Sequence, residues 1–196
     1  MGKRTAVVVA AALAAALAGC ATPTPYQPNI PGQSASGGYS EIRVEANRWR
    51  VTFAGNSLTS RETVEGYLLF RSAELTVQQG FDWFSIVDRH TDRSGYTYLE
   101  PDPLYNPWYG PGYGFWRPYW RYYGYGYGWR TWDPFWGDPF WGDRIDVRTV
   151  ERFEATAEIV MGHGAKAADD PRAFDARAVI TNLQPRIQYP APPKQH

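Results

Sequence analysis

Hydrophobic and polar residues alternate along several stretches of the chain, and this alternation predicts β-strands. Residues 42–46 and 49–53 alternate in this way on either side of Asn47, so they should form a hairpin of two short strands. Residues 81–87 are almost continuously apolar and aromatic, which is typical of a strand buried near the middle of a sheet. The longest alternation covers residues 145–161 and predicts one long strand.

Two other segments have the apolar spacing of helices. Thr59 followed by Glu62 is a capping box that predicts a helix start, and Gly80 suits the position that closes a helix. Apolar residues between them form two ridges on opposite sides, so the helix should be covered twice. One ridge holds Val64, Tyr67, Leu68 and Leu75, and the other holds Phe70, Ala73 and Val77. Asp170 and Pro171 predict the N-cap and first residue of a short final helix.

These elements predict an α+β fold. We expect a two-layer sandwich in the order ββα–ββα, with an antiparallel sheet of about four strands and the helices on one face. A single domain should cover residues 40–184, interrupted by an insert at residues 96–141 that is rich in Tyr, Trp, Gly and Pro. Residues 185–196 hold several prolines and are expected to be a tail.

The N-terminal residues have the layout of a bacterial lipoprotein signal. Lys3 and Arg4 precede an apolar run at residues 5–18, which is too short to cross about 30 Å of hydrocarbon, since that takes roughly 20 residues. The run ends in Leu17-Ala18-Gly19-Cys20, which matches a lipobox. Residues 1–19 are therefore expected to be a cleaved signal peptide, and Cys20 to carry a diacylglyceryl group on its thiol and an acyl chain such as palmitate on its new amino terminus.

Lipidation of Cys20 would anchor the chain permanently, because several acyl chains exceed what stable membrane binding needs. The next residue is Ala21 rather than Asp, which favours sorting to the outer membrane, with the domain facing the periplasm. Residues 20–39 are expected to be the lipidated N-terminus and a flexible linker, reaching about 25 Å as a coil. Cys20 is the only cysteine, so no disulfide is expected.

Two segments carry distinctive motifs. They are Asn56-Ser57-Leu58-Thr59-Ser60-Arg61-Glu62-Thr63-Val64-Glu65, continuing through Tyr67-Leu68-Leu69, Ala73-Glu74-Leu75-Thr76, Gln78-Gln79-Gly80 and Asp82-Trp83-Phe84, and Asp170-Pro171-Arg172-Ala173-Phe174-Asp175-Ala176-Arg177. Together they resemble a family of small proteobacterial outer-membrane lipoproteins of uncharacterised function. The resemblance covers about half of the chain after Cys20 and implies a cell-envelope location. It implies no catalytic residues, and the insert is not part of it.

The insert holds more than half of the chain's aromatic residues, and its glycines and prolines oppose both a helix and a central strand. It is expected to be a long hairpin loop and a contact surface. The tryptophans offered for contact are Trp108, Trp116, Trp120, Trp129, Trp132, Trp136 and Trp141. Three interpretations stay open: low-complexity sequence that self-associates or packs on the core, contact with a membrane interface, and stacking on cell-wall or outer-membrane glycans with Arg117, Arg121 and Arg130 as donors.

Charge and composition narrow the function. The chain has 20 basic and 20 acidic residues, and removal of Lys3 and Arg4 with the signal peptide leaves a small acidic excess, so no nucleic-acid partner is expected. Asp88, His90 and Asp92 alternate at a strand end like metal ligands or an acid/base pair. The sequence has no nucleophile elbow, no zinc-spaced histidine pair and no dinucleotide-binding glycine pattern.

The sequence therefore predicts a membrane-anchored envelope lipoprotein that is not an enzyme. It would serve as a scaffold or interaction module, with no cofactor and with the aromatic insert as contact surface. Its partners would be the membrane, through Cys20, and an envelope protein or a cell-wall glycan. The alternative is a glycan-binding or glycan-active periplasmic protein, metal-dependent through Asp88 and His90.

Overall fold

The computed structural model describes residues 22–33, 35–87, 113, 116, 118–124, 128–132 and 150–192, and these form a mixed α+β fold. They contain one antiparallel sheet of seven strands and two α-helices. The elements are β1 (Gly38–Glu45), β2 (Arg48–Ala54), α1 (Arg61–Gln78), β3 (Trp83–Ile86), β4 (Tyr119–Gly124), β5 (Gly128–Trp132), β6 (Val150–Gly162), β7 (Ala173–Asp175) and α2 (Ala176–Leu183), followed by a single 3₁₀ turn, Gln184–Arg186.

The long strand β6 organises the sheet. Its strand order is β1-β2-β6-β3-β7, and β4 also pairs with β6 and carries β5 on its other side. On one edge, β2 pairs with residues 154–160 of β6. On the other edge, β4 pairs with residues 150–156 and β3 with residues 159–162, so these two strands lie one after the other along β6. The predicted β1–β2 hairpin and the antiparallel pairing of β3 with the long strand are confirmed.

The expectation of about four strands is wrong, because the insert contributes two more and β7 a third. Tyr119–Gly124 and Gly128–Trp132 form a hairpin within the segment expected to be a loop. Prediction failed here because the glycines lie at the ends of the strands, while most of the other strand residues are aromatic or β-branched and suit a sheet. Pairing with β6 then provides the hydrogen bonds that an isolated hairpin lacks.

The core lies between α1 and one face of the sheet. That face presents Val51 and Phe53 from β2 and alternate residues of β6, all fully or almost fully buried. Both predicted ridges of α1 are buried apart from Val77, which is half-buried, because α2 packs against the side of α1 that the sheet leaves open. Covering two sides explains why α1 has little apolar asymmetry.

Both helices begin at residues other than those predicted. Ser60, not Thr59, caps α1, and its hydroxyl accepts from the backbone N–H of Thr63. Gly80 does close α1, with a φ of 85° that favours glycine, and the N–H of Phe81 donates back to the carbonyl of Thr76.

The final helix begins five residues later than Pro171 suggests. Asp175 is its N-cap and accepts from the N–H of Ala178. Residues 173–175 form β7 instead, because their backbone pairs with the exposed edge of β3. Asp170 is used differently, since its carboxylate accepts from the N–H of Arg172 in a local turn.

Candidate functional site

The chain is folded from the second residue after Cys20, so the segment expected to be a flexible linker packs on the domain. The side chain of Asn56 holds its start: Nδ2 donates to the carbonyl of Thr22, at 2.8 Å. The N–H of Asn56 donates to Oγ1 of Thr24, at 2.8 Å, and the N–H of Thr24 donates to Oγ1 of Thr59, at 2.8 Å. We call Thr22, Thr24, Asn56 and Thr59 the N-terminal clamp.

The clamp explains why Thr59 does not cap α1. Its hydroxyl is almost fully buried, accepts from Thr24 and donates to Oδ1 of Asn56, at 2.8 Å. With that hydroxyl engaged, the cap passes to the next residue, Ser60. Serine and threonine are both favourable N-cap residues, so the sequence alone does not reveal the choice.

Tyr26 fixes the segment that follows the clamp. It is 4% exposed, and its ring lies 5.0–5.7 Å from the rings of Tyr39, Tyr67, Phe70 and Tyr189. Its backbone N–H donates to the carbonyl of Gln188, so the start of the domain is tied to residues expected to be a tail. The signal in the sequence was a lone aromatic among prolines, where a true linker would carry small polar residues.

A buried polar network lies beside this ring. The hydroxyl of Tyr26 donates to Glu74, and Arg71 forms ion pairs with Glu74 and Glu41 while its guanidinium lies 4.4 Å from the ring centroid of Tyr39. Burial, and then the hydrogen bond to Glu74, raise the pKa of Tyr26 well above its usual value. Burial opposes the charge on Arg71, but Tyr26 and Glu41 outweigh it and raise the pKa of the guanidinium. Each partner is satisfied inside the fold, which indicates a structural role.

The outer face of the β4–β5 hairpin carries the exposed aromatic group. Trp129 is 42% exposed, and its ring centroid lies 5.5 Å from that of Tyr123. The Arg121 guanidinium lies 4.7 Å from the Trp129 ring centroid, and Arg121 forms an ion pair with Glu154 at 3.1 Å. We call Arg121, Tyr123, Trp129 and Glu154 the hairpin platform. It holds a ring, a guanidinium and a carboxylate in one place, which suits stacking and hydrogen bonding rather than proton transfer.

The other tryptophans of the expected contact surface divide into three groups. Trp116 is fully buried and Trp120 is 3% exposed, and both belong to the core. Trp116 packs edge-on against Phe84 and Phe174. Both are therefore corrected from contact residues to core residues. Trp132 is part of β5, and Trp108, Trp136 and Trp141 lie outside the described residues.

The split within the hairpin follows from strand geometry, because side chains alternate between the two faces of a sheet. Trp120 and Tyr122 point to the core side, whereas Arg121 and Tyr123 point away from it. Trp129 is opposite Tyr123 in the pairing of β5 with β4, so it shares the outer face. Aromatic enrichment alone predicts many rings and does not show which of them are exposed.

The N-terminal clamp and the tip of the hairpin lie at the same end of the sheet. The N–H of Gly55, the residue before Asn56, donates to the carbonyl of Phe153 in β6. Gly124, the last residue of β4, pairs with Val150 of the same strand. The tip therefore extends past the clamp by three residues, or roughly 10 Å.

The residues that the sequence suggested as metal ligands or as an acid/base pair are not among those the structure describes. Asp88, His90 and Asp92 lie outside the described residues, as does Arg117. Within the described ranges, no three His, Cys, Asp or Glu side chains are grouped so as to hold a metal ion. His163 is exposed and stacks on Phe81, with ring centroids 4.5 Å apart. Neither helix of the described chain is long and apolar enough to cross a membrane.

Comparisons with known proteins add no identity. No protein family, no curated protein and no solved structure matches this chain.

Proposed function

We propose that this chain is a lipid-anchored envelope protein, attached through Cys20, whose domain is a non-catalytic interaction module. The proposed scaffold is a two-layer α+β sandwich, and the hairpin platform is its contact surface. The protein would reside at the outer membrane and face the periplasm.

The N-terminal clamp is the observation that carries this proposal. A lipobox cysteine is useful as an anchor only if the chain after it is held to the domain or tethered by a linker. Here Thr22 and Thr24 are hydrogen-bonded to the domain two and four residues after Cys20. Anchoring at Cys20 would therefore place the whole domain directly at the membrane surface, rather than on a long tether.

Metabolic labelling with an alkynyl fatty acid tests the anchor. The wild-type chain should become labelled and sediment with membranes, whereas Cys20→Ser should be unlabelled and remain in the soluble fraction. Equal labelling of both chains, or a soluble wild-type chain, would contradict the proposal.

The contact surface needs point variants, because removing the whole insert would also remove the core residues Trp116 and Trp120. A photo-crosslinking residue in place of Trp129 should capture a specific neighbour in intact cells. The same residue in place of Gln79, which is exposed at the far end of α1, is the matched control. Identical products from both positions would show that the platform is not the contact surface.

Glycan binding is the second candidate, and one contact favours it. Glu154 holds Arg121 beside the exposed Trp129 ring, so a hydrogen-bond donor and a flat apolar face are oriented together. Sugars present hydroxyls at their edges and C–H groups on their faces, which match this pair. Wild-type protein should then co-sediment with purified peptidoglycan, and Trp129→Ala should lose most of that binding while Gln79→Ala keeps it.

A further inference from the structure

We propose that the hairpin platform and the loop before α1 rest together on the membrane interface, so that the ligand of the contact surface is the lipid headgroup layer itself. This inference rests on the proposed lipidation of Cys20. It specifies which end of the domain faces the membrane and which side chains touch it.

The chain between the proposed lipid and the fold is short. Only Ala21 separates Cys20 from Thr22, so the Cα atoms of Cys20 and Thr22 are at most about 7 Å apart. Thr22 is held by Asn56, whose Oδ1 also accepts from the N–H of Leu58, at 3.0 Å. Leu58 is therefore fixed close to the anchor, and it is a large apolar side chain that is 48% exposed.

The surface beside the anchor combines polar and apolar side chains. An open cleft of about 500 Å³ extends from Pro23 and Leu58 to the first turn of α1. Its remaining lining is mostly polar and includes both an acid and a base. The polar members are Thr24, Ser60, Glu62, Thr63, Arg186 and Gln188. A cleft with a mixed polar and apolar lining, which also includes Tyr67, is suited to the boundary between headgroups and acyl chains.

The hairpin tip is at the same end of the sheet as the N-terminal clamp. The tip extends roughly 10 Å past the clamp along β6, and three strand spacings, or about 14 Å, separate β5 from β2. The loop beside Cys20 and the hairpin tip can therefore contact one membrane surface together, so the domain would have two membrane contacts instead of one. Two points fix an orientation, which a single lipid anchor does not.

The composition of the tip suits the interface better than water or hydrocarbon. Trp and Tyr concentrate at membrane interfaces, where the ring and its polar atom are each satisfied, and Trp129 and Tyr123 provide both residues. Arg152 is exposed and pairs with Tyr123 on the outer face, and guanidinium groups donate well to phosphate. The occupant of this surface is therefore a phospholipid interface, and a glycan is the competing outcome.

Depth measurements on single thiols test this arrangement. Because lipidation consumes Cys20, each of Leu58→Cys, Arg130→Cys and Gln79→Cys has one free thiol for a fluorescent label, and Arg130→Cys leaves Trp129 and Tyr123 in place. The full lipidated protein is reconstituted in vesicles of phosphatidylethanolamine and phosphatidylglycerol that carry a headgroup nitroxide quencher. Gln79 is the control, because α1 has 18 residues and places it about 27 Å from Ser60.

The labels at residues 58 and 130 should be quenched several-fold more than the label at residue 79. If the label at residue 130 is quenched no more than that at residue 79, the hairpin does not rest on the membrane and the inference is overturned. Arg130 is exposed, so its replacement should leave the fold intact. Mass spectrometry of each protein beforehand separates the two proposals, because a chain without lipid on Cys20 refutes the proposed anchor, whereas a lipidated chain with an unquenched tip refutes only the docking.

Discussion

Replacing Tyr26 by alanine tests whether residues 22–30 belong to the folded domain. The ring is 4% exposed and touches four other aromatic rings, so its loss leaves a cavity in a packed region. Truncation of a buried aromatic residue costs about 3–5 kcal/mol in the free energy of unfolding. Tyr26→Phe removes only the hydrogen bond to the Glu74 carboxylate, and a bond to a charged group contributes about 1.5–3 kcal/mol.

Urea unfolding of the mature chain with Cys20→Ser, followed by circular dichroism, measures both effects. With a urea dependence of about 2 kcal/mol per molar, Tyr26→Ala should lower the midpoint by about 1.5–2.5 M, and Tyr26→Phe by about half as much. Ile30→Ala is the matched control, because Ile30 belongs to the same segment and is 56% exposed, and it should change stability by less than about 0.5 kcal/mol. A Tyr26→Ala midpoint equal to that of Ile30→Ala would refute the packing of this segment and restore a flexible linker.

Three further predictions concern stability. The backbone N–H of Gly164 donates to Asp82 and lowers the pKa of that carboxyl, so the ionised Asp82 stabilises the fold above about pH 4 and this stabilisation is lost as the pH falls through the lower folded-state pKa. Asp82→Asn should therefore weaken the dependence of stability on pH in acid, and an unchanged dependence would contradict this. Burial raises the pKa of Tyr26, so the neutral hydroxyl stabilises the fold below about pH 10 and this stabilisation is lost as the pH rises towards the folded-state pKa. In alkaline titrations, the stability of Tyr26→Phe should therefore fall less steeply with pH than that of the wild type. A Cβ added at Gly162 would lie 2.1 Å from Cζ2 of Trp83, so Gly162→Ala should cost about 1–3 kcal/mol in thermal unfolding, and Trp83→Ala should relieve part of that cost in the double variant.

Local patterns predicted most of the sheet and helices. Alternation predicted β1, β2 and the long strand β6, and the two-sided ridges of α1 predicted that the helix is covered twice. These succeed because burial on one face imposes a period that the sequence must show. Gly80 was predictable because a left-handed residue closes the helix.

The wrong predictions share a physical cause. In each case, contacts between residues far apart in the sequence selected one of several structures that the local sequence allows. Thr59 and Ser60 can both cap a helix, and the Thr59 hydroxyl is instead engaged by Thr24, 35 residues away. Residues 173–175 form a strand because β3 offers an edge. Tyr26 is buried because distant rings surround it.

The candidate site was predictable by type but not by residue. Aromatic enrichment indicated a contact surface in the insert, yet only the pairing register shows that Trp129 points outward while Trp120 points into the core. The clamp had no recognisable motif, since threonine and asparagine are common in linkers and turns.

Lipid on Cys20 is proposed to anchor a domain that is folded from Thr22 onward. Intact-mass spectrometry of the protein purified from membranes decides whether that lipid is present. We expect a chain that begins at Cys20 and carries the added mass of a diacylglyceryl group and an N-terminal acyl chain. A chain that retains residues 1–19, or one that begins elsewhere with a free thiol at Cys20, would refute the anchor.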